Sequence, residues 1–381
     1  MAARRGTWRA IGRSVIGVTH ARDRRACQDA FRVHLSTPGA VVVAVADGHG
    51  QAKSFRSQEG ASIAVGVAVD TLVNFSHSEP GESDGAFRVR KDLAGHLPRV
   101  VAQTWRERVQ EHSERHPFSP EELALLGERF SVTPDQPMSS DACRAVWRAY
   151  GSTLLAVLVA GPYALALQIG DGLLMAAGAS GDGFEVLDPD ALNFGTSTTS
   201  LSDEDAEVRL RWRIIPHEGD YPILYWLCTD GYEKAFRADD LAGVCLEYRE
   251  AFCQPDGWRV IEENLAEGLH LASARGTGDD ATAAFLFFDE GETGAAGGGV
   301  AAVSVPDGVA CPHEVVGGSA NAGMSGSDSG PTVSESTPEV SKSASPECGD
   351  GGAVAGHDRH GAESTDASEP SRDLGTQGGT S

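Results

Sequence analysis

Asp47, Asp171 and Asp230 each close an apolar, strand-like run and precede a glycine: VVVAVADGHG at Val41–Gly50, YALALQIGDG at Tyr163–Gly172 and ILYWLCTDGY at Ile223–Tyr232. A fourth acidic stop, GTGDDATAAFLFF at Gly276–Phe288, reverses the order and sets Asp279 and Asp280 ahead of the strand. A carboxylate at the end of a buried strand is held by the sheet, and several at one edge make an oxygen-rich pocket suited to Mg²⁺ or Mn²⁺. The chain contains eight Asp-Gly pairs, so the dipeptide alone signifies no more than a turn. What singles out these few is their position after a strong β run. Asp47 has two oxygens able to bridge cations about 4 Å apart, the spacing of two-metal hydrolases. Gly48 lacks a Cβ, so its carbonyl can approach a cation, and His49 stands where an imidazole can protonate a leaving alkoxide.

The elements that must carry these residues can be read from periodicity. Strands are expected at Ser14–Thr19, Ala30–Leu35, Val41–Ala46, Leu154–Ala160, Tyr163–Ile169, Leu173–Ala177, Phe184–Leu187, Arg209–Ile214, Ile223–Cys228 and Ala283–Phe288. Gly161-Pro162 reads as a hairpin turn. Gln51–Asn74, Lys91–His112, Asp239–Phe252 and Trp258–Ser273 read as helices, with Pro98 kinking or splitting the second. Ser119-Pro120-Glu121-Glu122 is a helix start, with a capping hydroxyl, a proline in the first turn and acids near the positive end of the dipole. Short strands joined by hairpins, with helices in two blocks, predict an α+β fold with antiparallel sheets rather than a parallel doubly wound one.

Composition limits the rest. Every aromatic residue lies at or before Phe288, and the remainder is Gly-, Ser-, Ala- and Pro-rich with 15 acidic and 3 basic side chains. Such a segment buries too little apolar surface to offset its ordering entropy, so residues 1–288 are expected to form one domain and 289–381 a disordered acidic tail. The net charge of −24 divides evenly between tail and domain. A field of that sign repels nucleic acid and anionic membrane, so neither is an expected partner. No apolar run approaches ~20 residues, and the Arg-rich start lacks the apolar region of a secretory signal. Seven scattered cysteines without a CxxC pair fit free thiols in a reducing cytoplasm, the expected location. Gly151-Ser152-Thr153 opens a buried strand and reads as packing and turn chemistry, because no G-x-S-x-G elbow surrounds Ser152. No GxxxxGK[ST] loop or GxGxxG fingerprint occurs, which removes simple nucleotide-binding readings.

DRRACQDAF, VADGHG, YGSTLLAVLV, LQIGDGLLMA, LCTDGYEKAF and GTGDDATAAF occur in that order. From about Val15 to Phe288 the chain thereby resembles the metal-dependent protein Ser/Thr phosphatases of the 2C type. The resemblance implies an α-β-β-α sandwich of two mainly antiparallel sheets flanked by helices. It further implies two Mn²⁺ or Mg²⁺ ions bridged by Asp47, with the Gly48 carbonyl, Asp230 and Asp279 as ligands and His49 as general acid. Asp280 replaces the family's Asn. Arg24 has the spacing of the phosphate-gripping guanidinium, whose planar fork suits phosphate oxygens, and Arg25 is an equally available neighbour. Asp29 matches the last acid of the family's first block, where Cys27 replaces Asn and Gln28 replaces Glu. Asp171 matches a residue that helps hold a third, weaker ion, and Lys234 stands where its partner carboxylate is expected.

Two readings of function follow. The first is a cytoplasmic phosphoprotein Ser/Thr phosphatase, which hydrolyses phosphomonoesters with a hydroxide activated by the dinuclear centre and opposes a cognate Ser/Thr kinase. The second keeps the fold without the turnover, as a phosphoprotein-binding regulator, and Gln28, Asp280 and Lys234 favour it. A small-phosphate hydrolase is a third class, for which no base-stacking aromatic motif is evident.

Overall fold

The computed structural model describes residues 6–36, 40–77, 86–127, 139–181, 183–188, 190, 198–218 and 221–290. The chain begins β1 (Thr7–Val15), α1 (Val18–Arg22), β2 (Ala30–Ser36), β3 (Ala40–Ala46) and α2 (Ser57–His77). Four helices follow: α3 (Ala86–Ala94), α4 (Leu97–Arg115), α5 (Pro120–Leu126) and α6 (Ser140–Ala149). Next come β4 (Leu154–Ala160), β5 (Tyr163–Ile169), β6 (Leu173–Gly178), β7 (Gly183–Glu185), α7 (Ala206–Arg209), β8 (Arg211–Pro216) and β9 (Pro222–Cys228). The last elements are α8 (Asp230–Glu233), α9 (Leu241–Phe252), α10 (Gly257–Arg275) and β10 (Ala281–Asp289).

The strands form two five-stranded sheets, ordered β1-β10-β9-β6-β7 and β2-β3-β4-β5-β8, with antiparallel pairing throughout. Alternation along β3 explains the layering. Val41, Val43 and Val45 face the other sheet and meet Tyr225, Leu227, Ala284 and Leu286. Val42, Ala44 and Ala46 face α2 and α4, whose Val65, Ala68, Leu72, Val101 and Trp105 cover them. On the far side, Trp226, Phe285 and Phe287 pack beneath Cys245 of α9 and Leu265 and Leu269 of α10. The expected α-β-β-α sandwich is therefore present.

Several local expectations are refined. The first strand covers Thr7–Val15 rather than Ser14–Thr19, and Val18–Arg22 is helical. β1 pairs with β10 from Thr7 opposite Asp289 to Val15 opposite Ala281. Arg9 and Arg13 interrupt its apolar pattern because they reach Asp289 (2.6 Å) and Glu262 (3.5 Å) at the margin. Pro98 splits rather than kinks its segment: it lies in the first turn of α4, where a missing N–H costs nothing. Ser119 caps α5 as expected, with Oγ accepting from Glu122 N at 3.2 Å and its own N donating to Glu122 Oε2 at 2.8 Å. Helix α6 was not expected. The proposed tail lies outside the described residues except Asp289, which closes β10, and Glu290. Among the described residues no helix is long and apolar enough to cross a membrane.

One half-buried histidine makes a testable contribution to this frame. His217 stacks on Trp8 and Tyr221, and its Nδ1 lies 3.1 Å from the Gly161 carbonyl. Burial pulls its pKa down to about 4, so the ring is neutral when folded. Unfolded His titrates near 6.5, so the unfolded chain binds the extra proton between about 6.5 and 4, and stability falls as pH drops through that window. His217→Gln is expected to lower Tm at pH 7.5 and to flatten the decline of Tm from pH 6.5 to 4. Thermal melts of both proteins across that range check it.

Candidate functional site

The acidic residues meet at one end of the sandwich. Ala30 pairs with Ala46 and Leu154 with Ile169, so Asp29, Asp47 and Asp171 sit at the same end of one sheet. Val15 pairs with Ala281 and Ala283 with Cys228, which brings Asp230, Asp279 and Asp280 to the matching end of the other. Two threonines tie the sheets together there. Thr229 Oγ1 and Thr282 Oγ1 each donate to Asp29 Oδ2 at 2.8 Å.

The electrostatics show how closely the carboxylates crowd. Burial, then the charges of Asp29, Asp230, Asp279 and Asp171, push Asp47 well above the usual carboxylate range. Burial and the charge of Asp280 lift Asp29 to about 8, against the pull of its hydroxyl donors. Glu233 rises to about 7 through burial and the charges of Asp230 and Asp171. Asp279 is also raised, chiefly by burial. Asp29 Oδ1 is buried with no hydrogen-bond partner among the described residues. An all-oxygen cluster whose members repel one another, with an orphaned buried carboxylate oxygen, fits hard divalent cations. Among the described residues, Lys234 brings a cation to the cluster, donating to Asp230 Oδ2. Burial pulls its pKa down, but that bond and the charges of Asp230, Asp171 and Glu233 hold it above the ordinary lysine value.

The Asp47–His49 turn is fixed by the Gly151–Thr153 segment. Asp47 N donates to Thr153 Oγ1, Thr153 N donates to the Asp47 carbonyl, both at 2.9 Å, and His49 N donates to the Gly151 carbonyl at 3.1 Å. A Cβ on Gly48 would lie 2.7 Å from the carbonyl oxygens of Gln28 and Ser57, and one on Gly151 would lie 2.6 Å from His49 Cδ2. Gly170 has φ +104° and a Cβ there would strike Thr153. Ser152 is fully buried and donates to the Thr153 carbonyl at 2.8 Å, the turn role expected of it. Burial lowers the pKa of His49 while Asp171, Asp203 and Asp230 oppose that shift.

The remaining expected residues are placed as follows. Asp171 accepts from Thr198 Oγ1 at 2.7 Å. Arg24 lies on an exposed turn with φ 55°. Its neighbour Arg25 has Nη2 3.2 Å from the Gly50 carbonyl and 3.3 Å from Gln28 Oε1. Arg25, Gln28 and Gly50 border a cleft of about 530 Å³ that continues to Phe55 and Glu59. Gln28 Nε2 donates to Ser57 Oγ at 2.9 Å. Asp280 faces inward, accepting from Gly17 N at 2.7 Å and Gln28 N at 2.6 Å, so it anchors the first block to the last. The roles of Thr153, Thr229, Thr282, Asp203 and His20 were missed in the sequence. The threonines lie within the motif blocks, whereas Asp203 and His20 carry no sequence signal of their own.

The protein phosphatase 2C family model matches residues 16–270. Among solved structures, the catalytic domain of the serine/threonine phosphatase PstP in complex with two manganese ions is 20% identical, covering 74% of this chain and 98% of that one, with a TM-score of 0.44. The Mycobacterium tuberculosis phosphatase PstP/Ppp gives 19%, 74%, 99% and 0.44. PppA, a regulatory component of T6SS in Pseudomonas aeruginosa, gives 22%, 74%, 98% and 0.43. Among curated proteins none matches. A family match over most of the domain that carries the clustered carboxylates settles the assignment: the chain belongs to the protein phosphatase 2C family.

Proposed function

We propose that this chain is a metal-dependent phosphoprotein Ser/Thr phosphatase. The observation that carries the reading is the repulsion converging on Asp47 from Asp29, Asp171, Asp230 and Asp279, beside His49 and an arginine-edged cleft. Asp47, the Gly48 carbonyl, Asp230 and Asp279 would hold two Mn²⁺ or Mg²⁺ ions, with Asp29 behind them. Bound there, the ions supply positive charge that lowers the pKa of a water and offsets the phosphate charge.

The chain's own side chains do the rest. Arg25, rather than Arg24 one residue away, presents its fork to the phosphate, because its guanidinium already lies against Gly50. The 530 Å³ cleft admits the phosphoresidue and its flanking chain. His49 protonates the departing serine or threonine oxygen; the burial that lowers its pKa makes its protonated form a stronger acid. Thr153 and Gly151 hold the turn that aims both Asp47 and His49. A third ion at Asp171 would compete with the Lys234 ammonium. The substrate is a phosphorylated protein in the cytoplasm, and a cognate Ser/Thr kinase supplies it.

The Gly151 contact makes the aim of His49 testable. Gly151→Ala is expected to lower kcat by about 10- to 100-fold, the scale of losing one positioned proton donor, while circular dichroism stays native. Initial rates beside melting curves decide it; unchanged kcat in a folded variant places His49 outside the reaction.

Hydrolysis of p-nitrophenyl phosphate with Mn²⁺, and its loss in EDTA, tests the reading as a whole. The second reading, a phosphatase-fold regulator with little turnover, is favoured by Lys234 on Asp230. No hydrolysis at saturating Mn²⁺ together with phosphopeptide binding would establish it instead.

A further inference from the structure

His20, on the short helix α1, has only 8% of its side chain exposed and belongs to none of the expected motifs. Its Nδ1 lies 2.9 Å from Asp280 Oδ2 but makes no hydrogen bond among the described residues. Its Nε2 lies 3.7 Å from Asp279 Oδ1. The two carboxylates differ sharply. Asp280 is 2% exposed and already accepts from Gly17 N and Gln28 N, whereas Asp279 is 51% exposed.

The placement is rigid. Thr19 N donates to the Gly278 carbonyl at 3.0 Å and Val18 N to Ser273 Oγ at 3.2 Å. A Cβ on Gly17 would lie 2.3 Å from the Asp279 carbonyl carbon, so α1 is pressed directly onto the Gly278–Asp280 loop. Donor atoms of His20, Asp279 and Asp280 all fall within 4.8 Å of one another.

A metal-ligating histidine almost always gives its other ring N–H to a carboxylate, which fixes the tautomer and raises the basicity of the ligating nitrogen. Asp280 Oδ2 is the carboxylate oxygen within reach of that role, 2.9 Å from Nδ1 but outside hydrogen-bond geometry. Two donors about 2.1 Å from one ion at a tetrahedral angle lie about 3.4 Å apart, close to the 3.7 Å between Nε2 and Asp279 Oδ1. We propose that His20 Nε2 and Asp279 form a mixed nitrogen–oxygen pair of ligands, with Asp280 the carboxylate beside the imidazole. The inference rests on the reading of Asp279 as a metal-holding residue. Its consequence is selectivity, because imidazole favours Zn²⁺ and Co²⁺ where carboxylates alone suit Mg²⁺.

The test uses the full chain labelled with ¹⁵N at its histidine rings, titrated with diamagnetic Zn²⁺. The expected result is a stoichiometric shift of one unprotonated imidazole nitrogen into the metal-bound range. Among the described residues, the two histidines against the acidic cluster are His20 and His49. The shifted signal should persist in His49→Gln and disappear in His20→Gln. Calorimetry should show His20→Gln weakening Zn²⁺ at least tenfold and Mg²⁺ less than threefold. Zn²⁺ bound without any shifted imidazole overturns the proposal and leaves an all-carboxylate centre, and this wild-type readout holds even if His20→Gln does not fold. Equal weakening of both ions also overturns it, as a structural role for His20. A chain that binds neither Zn²⁺ nor Mn²⁺ overturns both this inference and the metal-dependent reading.

Discussion

Asp47→Asn is expected to reduce kcat by about 10³-fold or more, the scale of removing a preorganised charge interaction of ~4 kcal/mol from the transition state. The same substitution should raise the melting temperature of the metal-free protein. Asp47 is the carboxylate on which burial and four neighbouring charges converge, so a neutral isostere relieves repulsion while its backbone bonds to Thr153 remain. Wild type should gain stability on adding Mn²⁺, about 2.7 kcal/mol at 100 times Kd, and the variant should gain far less. Kinetics alone would not separate a lost ligand from a disturbed fold. The opposite movements of activity and metal-free Tm do. A variant with near-native turnover at saturating Mn²⁺ contradicts the two-metal reading.

The second large effect concerns the residues that dilute the cluster's charge. Lys234 places an ammonium on Asp230, and Gln28 lies beside the Asp47 turn with its carbonyl oxygen facing Arg25. Each charge change within about 4 Å of a cation is worth roughly 1–4 kcal/mol at effective dielectrics of 80 to 20. The double variant Gln28→Glu, Lys234→Asp is therefore expected to lower the Mn²⁺ concentration for half-maximal activity by at least about tenfold, since 1.4 kcal/mol is a factor of ten. Parallel Mn²⁺ titrations of wild type and double variant measure it. An unchanged or raised midpoint would place both residues outside the influence of the ions.

What was legible in the sequence has a physical pattern. Val41–Ala46, Leu154–Ile169 and Ile223–Cys228 could be read because strands covered on both faces are continuous apolar runs, and their ends placed Asp47, Asp171 and Asp230. β1 overlaps its expected range only at Ser14 and Val15 because Arg9 and Arg13 break its pattern while meeting partners distant in sequence. Helix α6 was missed because most of SDACRAVWRA is polar or small and only Ala142, Val146 and Ala149 are buried. The carboxylates of the candidate site were legible one by one. Their braces were not, since Thr229 and Thr282 reach Asp29 across 200 and 253 residues of chain. Arg25 rather than Arg24 faces the cleft because of a local turn in which Arg24 takes the left-handed conformation. His20 acquires meaning only once α1 is pressed against the Gly278–Asp280 loop.

The central claim is hydrolysis of a phosphorylated protein side chain in the acidic pocket. Release of inorganic phosphate from phosphoseryl and phosphothreonyl peptides, followed with Mn²⁺ and then with EDTA, tests it most directly. The account predicts turnover with Mn²⁺, abolition by EDTA, recovery on restoring the ion and none in Asp47→Asn. Release that persists in EDTA, or a metal-loaded chain that hydrolyses small phosphate esters but no phosphopeptide, would contradict it.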